Sequence, residues 1–354
     1  MSPSPSPARP LRIGISGYGV VGRRRRDFID LHPVLKTVAV CDRTFAGYDV
    51  TDDGIPCYTD YAGLLEHDLD ALFVCMTNDI AAEATIAGLN KGLHVFCEKP
   101  PGRDLGDITN VIACEKQKPG LKLKYGFNHR YHDSVRDAMA IIQSGELGHI
   151  VNLRGVYGKS KIINFQSDWR TTRDIAGGGI LLDQGIHMVD LLRLFAGEFV
   201  DIQSIVDNSF WNHDVEDNAY ALMRTADGKV AFIHSSATQW RHKFYLEIAL
   251  TDGSMVLEGI LSGSKSYGAE TLTIARRTAD DNGDPEEEVR HYEEDASWAD
   301  EIGEFADAII HDEPIIYGTS DDALKTMHLV YRIYCADPLW KAKWDLDDQL
   351  VEAT

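Results

Sequence analysis

A chain of 354 residues is longer than one hydrophobic core usually supports, so two domains are expected. Its composition, 44% apolar and 26% charged, is that of a globular protein, and no apolar run reaches the roughly 20 residues that a membrane helix needs. The formal net charge of −21 argues against a nucleic-acid partner, because binding a phosphate backbone requires a basic surface.

The first ten residues are rich in serine and proline and have no apolar core, so we predict a disordered tail rather than a signal peptide. The six cysteines show neither C-x-x-C nor the His/Cys spacing of a metal site, and no metal is expected. Cys41, Cys75 and Cys97 lie within apolar runs and should be small buried hydrophobes. Without an export signal or a disulfide framework, a cytoplasmic location is expected.

Residues 11–127 alternate between short apolar runs and helical stretches. The pattern predicts strands at 11–16, 37–41, 71–75, 93–97 and 121–127, with helices at 20–31, 79–91 and 104–117. Near-continuous apolar strands separated by helices are typical of a parallel sheet covered on both faces. The sequence therefore predicts an N-terminal α/β domain of the Rossmann type over residues 11–127.

The pattern changes after residue 127. A helix at 133–144, a strand at 149–157 and a helix at 179–196 precede strand-like segments at 200–210, 217–225, 229–240, 244–250 and 254–258, and helices at 297–312 and 319–336 follow. Asp227-Gly228 and Asp252-Gly253 are typical hairpin turns. These features predict an α+β domain over residues 128–354 with an open, mostly antiparallel sheet. Because an uncovered sheet face usually needs a partner, a homodimer or homotetramer is expected.

A glycine-rich pattern, G-x-G-x-x-G, directly follows the first predicted strand and opens the first helix, as Gly17-Tyr18-Gly19-Val20-Val21-Gly22. Glycines at these positions permit a tight turn and close approach of the backbone to a pyrophosphate at the helix N-terminus. Asp42 stands 20 residues beyond Gly22, where it would accept hydrogen bonds from ribose hydroxyls. Together they predict a dinucleotide site.

The choice of cofactor depends on two neighbouring residues. Asp42 would repel a 2′-phosphate and favours NAD, whereas Arg43 could stack on adenine or accommodate that phosphate, so NADP is the alternative. The run from Arg23 to Arg26 is typical of a solvated helix surface. The other interpretation is that one or two of these arginines reach a bound phosphate, because they follow the glycine-rich turn.

Two further motifs carry chemistry. Glu98-Lys99-Pro100 ends a predicted strand, where a partly desolvated lysine could help to remove a hydroxyl proton, although a surface lysine is the plainer interpretation. The stretch from Gly177 to Asp190 places Asp183 and His187 four residues apart on one helix face, and its three glycines permit close approach of a ligand. A structural ion pair is the alternative for this helix.

These motifs, together with Asn128-His129-Arg130 and Asp168-Trp169-Arg170, resemble the glucose–fructose oxidoreductase / inositol dehydrogenase / rhizopine-catabolism (Gfo/Idh/MocA) family over roughly residues 11–340. The resemblance implies that Lys99 and His187 are the catalytic pair, with Asp183 beside them. It also implies a set of secondary contacts: Asn78 and Glu98 for the cofactor, and Arg130, Tyr157 and Lys159 for the substrate. One segment departs from the family pattern, since Thr77 and Ala81 stand where members often have proline and histidine.

The resemblance implies an NAD(P)-dependent sugar or polyol dehydrogenase or reductase acting on a small, sugar-like molecule in a cleft between the domains. An NAD-retaining, redox-assisted glycosidase or lyase is a first alternative, but it would be expected to lack Lys99. A non-catalytic, dinucleotide-sensing regulator is a second, and it would be expected to lack Lys99 or His187. Both residues are present.

Overall fold

The computed structural model describes residues 9–46, 49–162, 168–262, 267–278 and 283–350. They form two compact units. The first contains the chain up to Asn128 together with Trp298–Lys325, and the second contains His129–Ser297 and Thr326–Gln349. Most of the predicted tail, residues 1–8, lies outside the described residues.

The first unit contains a six-stranded parallel sheet flanked by helices. Its strands are β1 (Leu11–Ser16), β2 (Leu35–Cys41), β3 (Cys57–Tyr58), β4 (Ala71–Val74), β5 (His94–Glu98) and β6 (Leu123–Gly126). Its helices are α1 (Val20–Leu31), α2 (Tyr61–Leu64), α3 (Asn78–Asn90) and α4 (Leu105–Lys116). The strand order β3-β2-β1-β4-β5-β6 reverses direction between β1 and β4, so a crevice opens at their carboxyl ends. The predicted Rossmann-type sheet is confirmed.

The second unit is built around an eight-stranded sheet. It begins with α5 (Asp133–Ser144), β7 (Ile150–Ser160), α6 (Arg173–Ala176) and α7 (Ile186–Ala196). The remaining strands are β8 (Phe199–Asp207), β9 (Asn218–Thr225), β10 (Val230–Gln239), β11 (Lys243–Leu250), β12 (Gly253–Glu258), β13 (Glu270–Arg276) and β14 (Glu286–Tyr292). Three helices follow in the chain: α8 (Ser297–Ile310), which belongs almost entirely to the first unit, α9 (Ser320–Ala336) and α10 (Pro338–Trp344).

The sheet order is β14-β13-β12-β11-β7-β10-β9-β8, and every pair is antiparallel except β7 with β10. Side chains alternate between its faces. One face is buried, and α7 lies so close to β7 that a Cβ on Gly155 would sit 2.6 Å from Met188 Sδ. The other face leaves Ile205, Leu222 and Val289 exposed. This confirms the predicted mostly antiparallel sheet.

The structure differs from the predicted division in one stretch. Residues 298–325, expected in the second domain, pack with the first unit. The reason is the apolar face of α8, whose Phe305 ring contacts Phe73 and Phe96 edge-on, with Ile302 in the same core. The strands β13 and β14 were not predicted. The sequence of β14, EEEVRHY, is charged because it lies at the edge of the sheet.

No helix in the described part of the chain is long and apolar enough to cross a membrane. All six cysteines are free thiols; Cys41 and Cys97 are buried as predicted, and Cys75 is partly buried. Within the described ranges, no group of three or more His, Cys, Asp or Glu side chains is arranged to hold a metal ion.

Candidate functional site

The glycine-rich turn of the first unit allows close packing on one side and leaves open space on the other. Gly17 has φ +86°, and a Cβ there would lie 2.3 Å from the carbonyl oxygen of Cys75. A Cβ on Gly22 would lie 1.9 Å from the carbonyl oxygen of Gly17. Gly19, the N-cap of α1, meets nothing within 4 Å, and no side chain caps the helix. This open helix N-terminus at the crevice fits the pyrophosphate of a dinucleotide.

Asp42, directly after β2, is held in one orientation. Its Oδ2 accepts the backbone N–H of Tyr18 at 2.9 Å, and its Oδ1 accepts the backbone N–H of Thr44 at 3.0 Å and the Thr44 hydroxyl at 2.7 Å. Burial opposes ionisation, but these hydrogen bonds and the charge of Arg43 outweigh it, so the pKa of Asp42 lies below its ordinary value. A fixed carboxylate at this strand end fits ribose hydroxyls.

The remaining cofactor candidates are placed by the same sheet. Asn78 begins α3 after β4 and is 5% exposed, and Lys99 follows β5 and is partly exposed. Arg43 and Val20 are exposed beside the turn. Parallel strands bring their carboxyl ends to one edge, so the turn, Asp42, Asn78 and Lys99 share that edge of the first unit.

Arg25 is neither a surface residue nor a phosphate contact, which corrects both interpretations of the arginine run at this position. Its guanidinium is buried between the rings of Phe96 and Trp298, at 4.4 and 4.2 Å from their centroids. It forms ion pairs with Glu98 at 2.6 Å and with Glu301 at 2.7 Å. Burial disfavours the charged form of Arg25, but the two carboxylates outweigh that cost and raise its pKa. The guanidinium therefore stays charged.

The other arginines of the run serve different contacts. Arg23 is exposed and donates to the carbonyl oxygen of Tyr18 at 3.2 Å, whereas Arg26 donates to the Tyr18 hydroxyl at 2.7 Å and pairs with Asp53. Glu98 was expected to contact the cofactor. Its Oε1 accepts a hydrogen bond from Arg25 Nε, so the Glu98 carboxylate links β5 to α1.

In the second unit, Asp183 and Lys159 form a polar pair. Lys159 Nζ lies 3.0 Å from Asp183 Oδ2, and the guanidinium of Arg170 lies 3.8 Å from the same oxygen. The side chains of Lys159 and Asp183 are 24% and 20% exposed. Both residues were predicted from the sequence, and the structure brings them together in a position that solvent reaches. Such a pair offers both a donor and an acceptor to hydroxyl groups.

His187, the second residue of α7, is 6% exposed and lies in a cluster of rings. The imidazole of His129 stacks on it at 3.8 Å between centroids, and the Tyr157 ring lies 6.5 Å away. Burial raises the pKa of Tyr157 well above its ordinary value, so its hydroxyl keeps its proton. The sequence singled out His187 and Tyr157, but it gave no role to His129.

Arg130 does not join this cluster as a substrate contact. Its Nε and Nη2 bind the two oxygens of Asp190 at 2.7 and 2.5 Å, and both side chains are buried. Asp190 also accepts from the hydroxyl of Thr326 at 3.1 Å. Asp190 is therefore part of a structural ion pair, since a buried bidentate pair satisfies both charges.

Gly178 and Gly179, two of the three glycines at 177–179, allow close packing within the protein. A Cβ on Gly179 would lie 2.1 Å from the carbonyl oxygen of Glu216, and one on Gly178 would lie 2.4 Å from the Tyr334 hydroxyl. The buried Glu216 carboxylate accepts the backbone N–H groups of Gly179 and Leu181 at 2.7 and 2.9 Å. Sequence reasoning missed Glu216, because it lies in a loop far along the chain.

Glu216 thus caps the segment that carries the candidate residues. This segment is not the continuous α-helix that was predicted: Leu181–Gly185 is a π-helical turn, and α7 begins at Ile186. Asp183 lies within the wide turn and His187 just after it. Single π-helical turns occur frequently at functional sites, because they displace side chains from regular helical positions.

Two family models match this chain. Residues 11–127 match the model of an oxidoreductase family with an NAD-binding Rossmann fold, and residues 135–256 match the GFO/IDH/MocA C-terminal domain. The 1,5-anhydro-D-fructose reductase of Ensifer adhaerens is 29% identical over 59% of this chain and 62% of its own length. The chain thus aligns with less than two thirds of that relative.

Two solved structures share the fold. Levoglucosan dehydrogenase, in complex with NADH and L-sorbose, has a TM-score of 0.81 at 20% identity, covering 94% of this chain and 98% of that one. KijD10, a 3-ketoreductase from Actinomadura kijaniata in complex with NADP and TDP-benzene, has a TM-score of 0.77 at 22% identity, covering 93% and 98%. With an NAD-binding Rossmann domain followed by a matching C-terminal domain, the chain belongs to the Gfo/Idh/MocA family of oxidoreductases.

Proposed function

We propose that this chain is an NAD(P)-dependent dehydrogenase or reductase that transfers a hydride between the nicotinamide and a hydroxyl or keto carbon of a sugar-like substrate. The observation that carries the proposal is the common placement of the open glycine-rich turn, Asp42 and Lys99 at one edge of the parallel sheet. This edge offers a dinucleotide site and a lysine that can act on a proton.

The catalytic task of the protein's own side chains is to transfer the proton of the substrate hydroxyl. In oxidation, His187 takes the proton of the substrate hydroxyl with the assistance of Lys99, and the hydride leaves the same carbon. In reduction, the same groups return the proton to the oxygen. A nicotinamide bound at the glycine-rich turn would accept the hydride in oxidation and supply it in reduction. Near-neutral proton transfer suits an imidazole, because its ordinary pKa lies near the working pH.

The substrate class follows from the polar pair of the second unit. Lys159 and Asp183 can bind neighbouring hydroxyls as donor and acceptor, and Tyr157 lies in the adjoining ring cluster. Among the similar proteins named above, one is a 1,5-anhydro-D-fructose reductase and another, levoglucosan dehydrogenase, was solved with L-sorbose. These observations support a polyhydroxylated ring: a sugar, cyclic polyol, sugar acid or nucleotide sugar.

We infer NAD as the preferred cofactor. The carboxylate of Asp42 is held ionised by the neighbouring N–H and hydroxyl groups, so it would repel a 2′-phosphate. The exposed Arg43 beside it is the feature that favours NADP. The two similar structures were solved one with NADH and one with NADP, so both cofactors suit the fold.

We also propose a homodimer or homotetramer assembled through the second unit. Leu222 and Val289 lie in one cross-strand row of the exposed sheet face, and Ile205 lies on the same face. A broad face with exposed apolar side chains favours association. The free thiols support the expected reducing, cytoplasmic location.

The test is anaerobic incubation of the protein with NAD or NADP and a panel of free, acidic and nucleotide-linked sugars. We expect the absorbance of reduced nicotinamide to rise with at least one member of the panel, and to rise far more slowly with Lys99→Met. Cleavage of a glycoside without net nicotinamide reduction would instead indicate a redox-assisted glycosidase. Cofactor binding without turnover of any compound would indicate a sensor.

A further inference from the structure

The imidazole of His187 is stacked face to face on a second imidazole. His129 and His187 have ring centroids 3.8 Å apart and planes inclined by 8°. The rings are 7% and 6% exposed, and they come from different elements: the 3₁₀ turn Asn128–Tyr131 and the start of α7. A flat, buried ring at van der Waals distance restricts rotation of His187 about its side-chain bonds.

A chain of hydrogen bonds fixes the edge of the His129 ring. Its Nε2 lies 3.1 Å from the Tyr157 hydroxyl. The Tyr157 hydroxyl is also hydrogen-bonded to that of Tyr267, which lies 2.8 Å from Gln184 Oε1. This network anchors the edge of the His129 ring that faces Tyr157.

The charged groups around His129 are engaged with other partners. His132, whose ring lies 5.5 Å from that of His129, places Nδ1 2.9 Å from Glu270 and Nε2 4.0 Å from Asp295. The Glu270 carboxylate also accepts from the Ser134 hydroxyl at 2.5 Å and from the backbone N–H of Leu261 at 3.1 Å.

On the side of β7 and β11, His129 faces Tyr157 and the uncharged ring of Phe244. Asp183, whose negative charge contributes to the raised pKa of Tyr157, is paired with Lys159. Two stacked imidazoles cannot both become cationic at small cost, because like charges at this separation repel strongly.

We propose that His129 is a positioning residue for His187: it holds the plane of the base by stacking, so that His187, the ring of the pair that takes the substrate proton, meets the substrate in one orientation. This rests on the proposed function, because it assigns a task relative to the base of that reaction. No hydrogen bond joins stacked rings, so His129 acts through the orientation and charge of His187.

The kinetic test compares His129→Ala with His129→Phe, which restores a flat ring without a titrating group. We expect His129→Ala to lower kcat on the order of 10- to 100-fold with little change in KM, since a misplacement of about 1 Å can cost about 100-fold. His129→Phe should recover most of that loss. The exposed His149→Ala is the matched control. Equal losses in both His129 variants, with native folding and NADH affinity, would overturn the proposal, as would an unchanged kcat in His129→Ala.

A spectroscopic test needs no substrate. In ¹⁵N-labelled protein, with signals assigned by their loss in His129→Phe and His187→Phe, His187 should be the first ring of the pair to be protonated on acidification. Protonation of His129 first would overturn the proposal. If no sugar is turned over, the proposed function fails, while this measurement still decides the relationship between the two rings.

Discussion

The guanidinium of Arg25 donates to the carboxylate of Glu98 at 2.6 Å, and through this contact the helix that follows the glycine-rich turn is tied to the strand that leads to Lys99. The two residues are 73 positions apart in the chain. Glu301 of α8 binds the same guanidinium from another side. One buried cation therefore holds α1, β5 and α8 together behind the carboxyl edge of the parallel sheet.

Replacing Arg25 with methionine should destabilise the first unit strongly. Removal of one partner leaves two buried carboxylates without their cation, a loss that typically costs about 3–5 kcal/mol. Urea unfolding followed by tryptophan fluorescence would measure it, because Trp298 lies against Arg25. The exposed Arg23→Met is the control. Equal unfolding midpoints for the two variants would contradict the structural role of the pair.

Replacing Asp42 with serine should change the cofactor preference. Loss of the carboxylate removes both the charged hydrogen bonds to ribose and the repulsion of a 2′-phosphate. A charged hydrogen bond is worth about 1.5–3 kcal/mol, so the ratio of NADH to NADPH affinity should fall on the order of tenfold or more. Fluorescence titration of both cofactors measures it, with the exposed Asp52→Ser as the control. An unchanged ratio would remove Asp42 from the cofactor site.

Alanine substitutions of Lys99 and His187 should each lower kcat by about 10²–10⁴-fold, the usual contribution of general acid–base groups. If both act on one proton, the double variant should lose less than the product of the single losses. Steady-state kinetics on the four proteins, with NADH affinity measured in parallel, gives the coupling. Strictly multiplicative losses would mean that the two residues act in separate steps.

The stability of the first unit should depend on pH through Glu301. Burial raises the pKa of Glu301, and this effect is larger than the lowering by the positive charges of Arg25 and Lys124. The resulting pKa is about 7. A carboxyl with a raised folded-state pKa stabilises the fold below its unfolded pKa, and that contribution is lost as the pH rises through about 7.

The wild-type protein should therefore lose stability relative to Glu301→Gln as the pH rises from about 5 to about 8. Thermal unfolding at intervals across this range gives the difference between the two proteins. The exposed Glu313→Gln should show no such trend. A difference that stays constant, or that grows in favour of the wild type at high pH, would show that Glu301 is ionised throughout.

The exposed face of the eight-stranded sheet predicts association. Sedimentation velocity at micromolar concentration should show a dimer or tetramer, and Leu222→Lys should shift it towards the monomer, because a buried lysine would be desolvated without a partner. The control is Leu31→Lys, an exposed position at the end of α1. A wild-type protein that sediments as a monomer would mean that this face is exposed to solvent.

The sequence predicted the parallel sheet well, because strands such as Ala71–Val74 are apolar at every position and buried at every position. It also selected Asp183 and Lys159, which the structure brings into contact. It could not distinguish Arg25 from the arginines beside it. Burial of that one side chain depends on Glu98, Trp298 and Glu301, which only the complete fold brings together.

Dependence on the complete fold also explains why the role of the glycines at 177–179 could not be predicted from the sequence. Their spacing resembles a ligand-binding turn, but the atoms that require Gly178 and Gly179 are the hydroxyl of Tyr334 and the carbonyl oxygen of Glu216, respectively. A local glycine pattern indicates that another group must approach the backbone closely. It does not show whether that group belongs to a ligand or to the protein. His129 was missed for a related reason, since a stacked partner has no fixed spacing from His187 in the chain.

The discontinuous composition of the first unit has a consequence for how the protein is made. Ile302 and Phe305 fill the same core as Ile13 and Phe73, although all the strands of the second unit lie between them in the chain. A nascent chain therefore cannot complete its first core until Phe305 has been synthesised, and the growing polypeptide must keep Phe73 and its neighbours from aggregating in the meantime. For the same reason, a fragment that stops at the end of the parallel sheet lacks part of its own interior, so this cofactor-binding half is not a module that can be excised and moved to another protein.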